Sequence, residues 1–237
     1  MDLSCGRDYN EHMKMNALWA VVIAVIVVAL GIWYWASFRG GSPAVVTDTA
    51  SSTPVTGLQA LSFGNLTLTY PSSGFALATT FDQVTVKSYI PACDHGFNYC
   101  FYYKGSAYAG SNFESAGFSI EKRTDLTTAA ACLSTPPVGY TKMKPTMAST
   151  TEYTSSTFTP LGDAGAGHYS FGSLYRLSYS GSCYEFQTRI GATQFGNYPA
   201  GSIREFTTTD QDAVNAMLKG ILKSITTASG AKPFAAS

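Results

Sequence analysis

LYRLSYSGSCYEFQTRI, residues Leu174 to Ile190, folds back on itself around Ser180-Gly181. A two-residue turn needs positive φ, which glycine supplies at little cost. With the turn fixed there, Tyr175 falls opposite Phe186, and Leu177 opposite Tyr184. Those four residues make one apolar face. Arg176 falls opposite Glu185 on the other face, a favourable cross-strand charge pair. Two independent signals, aromatic alternation and charge pairing, thus select one register.

Cys183 lies on the Arg176/Glu185 face. A half-cystine seldom faces open solvent, so this register requires something to cover part of that second face. DLTTAAACL, Asp125 to Leu133, reads as a short helix with Asp125 as its N-cap and carries Cys132. A Cys132–Cys183 bond would pin this helix to the sheet. Cys93, Cys100, Cys132 and Cys183 allow three pairings in all.

Alternation recurs elsewhere. Leu66, Leu68 and Tyr70 alternate with Thr67 and Thr69 in a strand that ends at Pro71. Phe118 and Ile120 alternate with Ser119 and Glu121, and Val84 and Val86 with Thr85 and Lys87. Near the end the period changes. Val214, Met217, Leu218, Ile221, Leu222 and Ile225 follow helical spacing. Thr209 and Asp212 are placed to form its capping box. Its apolar face needs a sheet to lie on. The expected fold is therefore α+β, an antiparallel β-sheet with helices packed on it.

Two stretches carry a family resemblance: LTLTYPSSGF (Leu66 to Phe75) and GILKSI (Gly220 to Ile225). They resemble the opening and closing segments of PsbP-like domains in membrane-anchored envelope proteins. In those domains a strand enters a Tyr-Pro turn shortly followed by Trp, and a final helix runs into I-L-x-S-F. Phe75 stands here in place of the Trp, and Ile225 in place of the last aromatic. The resemblance implies an antiparallel sheet between helices and a binding or assembly role, often beside membranes. It supplies no catalytic residues.

ALWAVVIAVIVVALGIWYWASF, Ala17 to Phe38, is uncharged. As a helix it would be about 33 Å long, enough to cross a bilayer core of about 30 Å. Trp19 stands at one end and Trp33, Tyr34 and Trp35 at the other, as at two membrane interfaces. Arg7 and Lys14 precede the span; Arg39 follows it, and the next basic residue is Lys87. This bias favours a cytoplasmic N-terminus and an outer C-terminal domain. The four later cysteines agree with an oxidising compartment, Cys5 being alone on the inner side. The expected organisation is a cytoplasmic tail at 1–16, a transmembrane signal anchor at 17–38, a flexible linker at 39–57, an extracytoplasmic domain at 58–229 and a disordered tail at 230–237.

From Gly40 onward, 12 basic and 12 acidic residues balance. No basic patch points to nucleic acid, so the expected partner is an envelope protein or a small ligand. Asn65-Leu66-Thr67 matches the N-glycosylation pattern, which matters only in a eukaryotic secretory pathway. Cys93-Asp94-His95 with Cys100 offers zinc-type ligands, but the spacing is unlike a zinc knuckle. A disulfide closing that short loop is simpler. By chain entropy it would contribute about 2.5 kcal/mol. The closed loop would present Asp94, His95, Phe97, Tyr99 and Tyr102 as a preorganised binding surface. The opposing reading places Phe97, Tyr99, Phe101 and Tyr103 on the core face of an ordinary strand.

GDAGAGH, Gly162 to His168, leads into a strand pattern rather than a helix, which argues for a hairpin loop and against a phosphate loop. No G-x-S-x-G elbow is present. The expectation is a non-enzymatic binding domain without a cofactor or a metal. The alternative is a hydrolase using His95 or His168.

Overall fold

The computed structural model describes residues 57–86, 88–94 and 96–236. The expected membrane span, tail and linker at 1–56 lie outside the described residues, as does His95. No helix among the described residues is long and apolar enough to cross a membrane.

Among the described residues ten strands form two sheets. β1 (Leu58–Phe63), β2 (Leu66–Pro71) and β10 (Thr226–Thr227) make a small sheet in the order β1-β2-β10. The main sheet is built from β3 (Phe75–Ala78), β4 (Tyr99–Tyr103), β5 (Phe113–Arg123), β6 (Thr146–Ser149), β7 (Thr154–Gly165), β8 (His168–Tyr179) and β9 (Ser182–Thr193). Its order is β3-β4-β5-β9-β8-β7-β6, and every neighbouring pair is antiparallel. Among the described residues two α-helices complete the α+β fold: α1 (Ala129–Ser134) and α2 (Thr208–Lys223).

The β8–β9 hairpin has the register read from the sequence. Tyr175 pairs with Phe186, Arg176 with Glu185 and Leu177 with Tyr184. Ser180 and Gly181 both take positive φ, 50° and 70°, the backbone that a right-twisted two-residue hairpin demands. Ala166 and Gly167 repeat this device, joining β7 to β8. Gly162 to His168 is thus a hairpin, tighter than a flexible loop, with Asp163 already paired to Ser170 in the ladder.

Strand alternation divides the main sheet into two faces. On the first, Phe75, Phe101, Phe118, Ile120, Leu177, Tyr184, Phe186 and Ile190 are buried in one large core. Val214, Leu218, Ile221 and Leu222 of α2 close that core, together with Leu66, Leu68 and Tyr70 of β2. Ser224, the C-cap of α2, fastens helix to small sheet. Its hydroxyl donates to the Thr69 carbonyl and accepts from the Thr69 amide, both at 2.9 Å. Phe234 fills the far side of the core, edge-on to Phe186 and Tyr175. The expected disordered tail at 230–237 is corrected by this contact: a ring only 2% exposed is too large an apolar group to leave in water.

Other boundaries also move. The capping box of α2 is Thr207 with Asp210, not Thr209 with Asp212. Asp210 is held there by Arg204, Nη1 to Oδ2 2.8 Å, and Phe206 just before the cap is buried. The N-cap of α1 is Thr128, whose hydroxyl accepts from the Ala131 amide. Asp125 is engaged by Arg123 instead. Val84 and Val86 do not form a strand. They follow a 3-10 turn at Phe81–Gln83 and pack on a small apolar cluster, with no strand paired to them among the described residues.

Candidate functional site

The second face of the main sheet has no continuous core. Three small clusters cover it in patches. Ala78, Ala92, Cys93, Cys100 and Tyr102 form one. Leu126, Cys132, Leu133 and Cys183 form another, under α1. Phe158, Leu161 and Leu174 form the third, with Tyr140 and Met143 against them. Two of the three contain a disulfide: Cys93–Cys100 and Cys132–Cys183. Glycines let the covering chain come close. A Cβ on Gly117 would meet the Ala92 carbonyl oxygen at 2.3 Å, and one on Gly191 would meet Ile90. The third patch is fixed by Tyr140, whose hydroxyl exchanges hydrogen bonds with the Gly162 carbonyl and amide on the open side of β7.

Between the patches lies a concave cleft of about 820 Å³, within the range of small-molecule sites. Ser119 and Gln187 contribute to its floor. Phe97 lines it, and Pro136, Pro137 and Val138 form part of its wall; Phe171 borders it through its backbone, its ring packing on the first-face core. Val138 is 99% exposed, so this apolar lip has no cover among the described residues.

The cleft is charged. Arg176 is buried on β8, and its Nε lies 2.6 Å from Glu185 Oε2. Its Nη1 donates to the Cys132 and Thr135 carbonyls, tying α1 to the sheet, and its guanidinium sits over the Phe158 ring. Arg123 grips Asp125 with two bonds, 2.9 and 2.6 Å, and reaches Glu185 at 2.8 Å. That bidentate bond holds the Asp125 carboxyl below its ordinary range. Glu121, 3.8 Å from Arg123, behaves oppositely: burial raises it, outweighing the arginine.

Arg189 is set differently. Its ladder partners are Gly117 and Gly172, so neither neighbouring strand offers it a side chain. Its acidic contact among the described residues is Asp94, from the loop that the Cys93–Cys100 bond closes. Burial lowers the pKa of Arg189.

Of the residues read as a binding loop, Asp94 and Phe97 line this cleft. Tyr99 and Tyr102 do not. Tyr99 packs on the first-face core, edge-on to Phe63. Tyr102 is buried beside Cys100, its hydroxyl 3.2 Å from Thr85 Oγ1. The core-strand reading therefore holds for Tyr99, Phe101 and Tyr103, while Phe97 packs in the Cys93–Cys100 patch. His168 lies outside the lining of the cleft; its Nδ1 is 2.8 Å from Glu114 Oε1, and its ring stacks on Tyr89.

No protein-family model matches the chain, and no curated protein sequence matches it. The chain is similar to a solved structure, that of cyanobacterial PsbP (CyanoP) from Synechocystis sp. PCC 6803. Identity is 13% and the TM-score 0.31, over 74% of this chain and 95% of that one. The chain has a weak PsbP-like resemblance.

The sequence reading did not single out Arg123, Glu121, Gln187 or Arg189. It placed Arg176 and Glu185 as a register pair, and it required a cover over their face. The missed signal is positional: charged residues recur at alternate places on central strands, where a wholly packed face would carry apolar ones.

Proposed function

We propose that this chain is a single-pass, membrane-anchored protein whose C-terminal domain lies outside the membrane and binds without catalysis. Residues 1–16 would remain in the cytoplasm, 17–38 would cross, and 39–57 would act as a linker. An envelope component or a small ligand would occupy the second-face cleft. One observation carries this reading: a roomy, polar, concave surface left open on a sheet whose opposite face is fully packed. The disulfides beside it support an oxidising compartment. Of the two histidines of the hydrolase alternative, His168 is engaged by Glu114 and Tyr89 away from the cleft, and His95 lies outside the described residues.

Two measurements on full-length protein from its native membrane test this. Thiol-alkylation mass mapping should label Cys5 alone; four free outer cysteines would reverse the topology. Native mass spectrometry should find a copurifying ligand that Ser119→Trp, which fills the cleft floor, no longer retains. A ligand retained equally by both proteins would move binding elsewhere.

A further inference from the structure

The three arginines of the cleft differ in how they are neutralised. Arg123 faces three carboxylates, those of Glu121, Asp125 and Glu185. Arg176 has Glu185 across the ladder and two backbone carbonyls besides. Both are fully used as struts. Arg189 stands between two glycines, its side chain 15% exposed, and its Nε is buried without a hydrogen-bond partner among the described residues. A buried guanidinium left short of acceptors is costly. Its contact with Asp94 is an ion pair rather than a satisfied hydrogen-bonded fork. Asp94 itself remains half in water, 51% exposed, and Gln187 Nε2 approaches its other oxygen only at 3.4 Å.

We infer that Arg189 is the carboxylate-binding point of the cleft, and that Asp94 is an internal carboxylate occupying it until a ligand carboxylate takes its place. This rests on the binding reading above and names the ligand class: a small organic acid. The exchange is even in charge, one carboxylate for another. A phosphate dianion would add negative charge beside Glu121, Glu185 and Asp163, which also line the cleft. Asp94 can swing away at little cost because half of it is already hydrated. Arg189 cannot, because it is anchored in a central strand. The ring of Phe97 would flank the organic part of the acid.

The test uses full-length protein in detergent micelles and two isosteric probes, benzoate and benzamide, followed through backbone amide shifts. Benzoate should perturb Gln187 to Arg189 and Asp94, and bind about tenfold more tightly than benzamide. Asp94→Asn removes the internal competitor and should tighten benzoate severalfold. Arg189→Gln should abolish the preference, and Arg189→Lys, a check against misfolding, should retain part of it. Equal affinity for the two probes, or benzoate binding indifferent to Arg189→Gln in a folded protein, would overturn the inference. Benzamide binding in the cleft with no preference for benzoate would sink the carboxylate point but leave the cleft as a binding site. Failure of benzoate to shift the cleft would sink it too, while the copurified-ligand measurement would still decide the broader reading.

Discussion

The two faces of the main sheet are buried by different means. The first is sealed by a continuous core, in which α2, β2 and Phe234 interlock over aromatic rows from β3, β4, β5, β8 and β9. The second carries three separate patches, two of them stapled by disulfides, with a charged cleft between. A large apolar core holds its cover by area alone. A six-residue helix such as α1 cannot, because short helices are marginal without outside support. Covalent bonds therefore appear where apolar area runs short, and the surface left between the patches forms the cleft.

The sharpest way to break this contrast is to injure one face at a time. Phe186→Ala, in the first-face core, should cost about 3–5 kcal/mol of global stability, read from chemical denaturation, with protection lost from amide exchange throughout. Removing Cys132–Cys183 by paired alanines should cost about 4 kcal/mol, and removing Cys93–Cys100 about 2.5 kcal/mol, by loop-closure entropy. Here the loss should be uneven: α1, or the loop around Ala92 and Cys93, should exchange quickly while α2 keeps its protection. Uniform loss in the disulfide variants would erase the distinction between the faces.

Two smaller effects sharpen it. Thr207→Ala should cost about 1 kcal/mol, as loss of an N-cap does, and Thr209→Ala much less; the reverse order would return the helix start to the frame read from sequence. The smallest effect lies in the cleft. NMR titration of side-chain carboxyls should place Glu121 above the ordinary glutamate range and Asp125 below the ordinary aspartate range. The signs differ. The contribution from neutral Glu121 is full below its unfolded pKa and is lost as pH rises through its folded value. That from Asp125 is full above its unfolded pKa and is lost as pH falls through its folded value. Like shifts in both would mean that Arg123 does not divide its attention as the geometry requires.

What could be read in the sequence was local. The β8–β9 register followed from a turn, an aromatic pairing and a charge pair within seventeen residues. The need for a cover over Cys183 followed from that register, and α1 supplies it. Capping was less legible, because TTTDQD contains two overlapping threonine-to-aspartate frames. The choice between them depends on Arg204, which reaches Asp210. Phe234 carried no period to announce it, and its place depends on a gap between Tyr175 and Phe186. The cleft is hardest of all to foresee. It is not a motif but the space between patches contributed by β4, α1 and the Tyr140 segment.

The order of the main sheet has a further consequence, for assembly. β3-β4-β5 and β6-β7-β8-β9 are each chains of consecutive neighbours, and β5–β9 is the one junction in the sheet between strands not adjacent in sequence. The later half can zip up through short turns, where closure entropy is small, while the earlier half must also close residues 79–98 between β3 and β4. The β5–β9 seam, running from Phe113 opposite Ala192 to Arg123 opposite Cys183, must wait for both. Cys93–Cys100 belongs wholly to the earlier half. Cys132 lies ahead of the later half and Cys183 near the start of β9, so that closing their bond brings α1 beside the strand that the seam needs. Oxidation of this pair thus prepares the join, and the two meanders meet as preformed pieces.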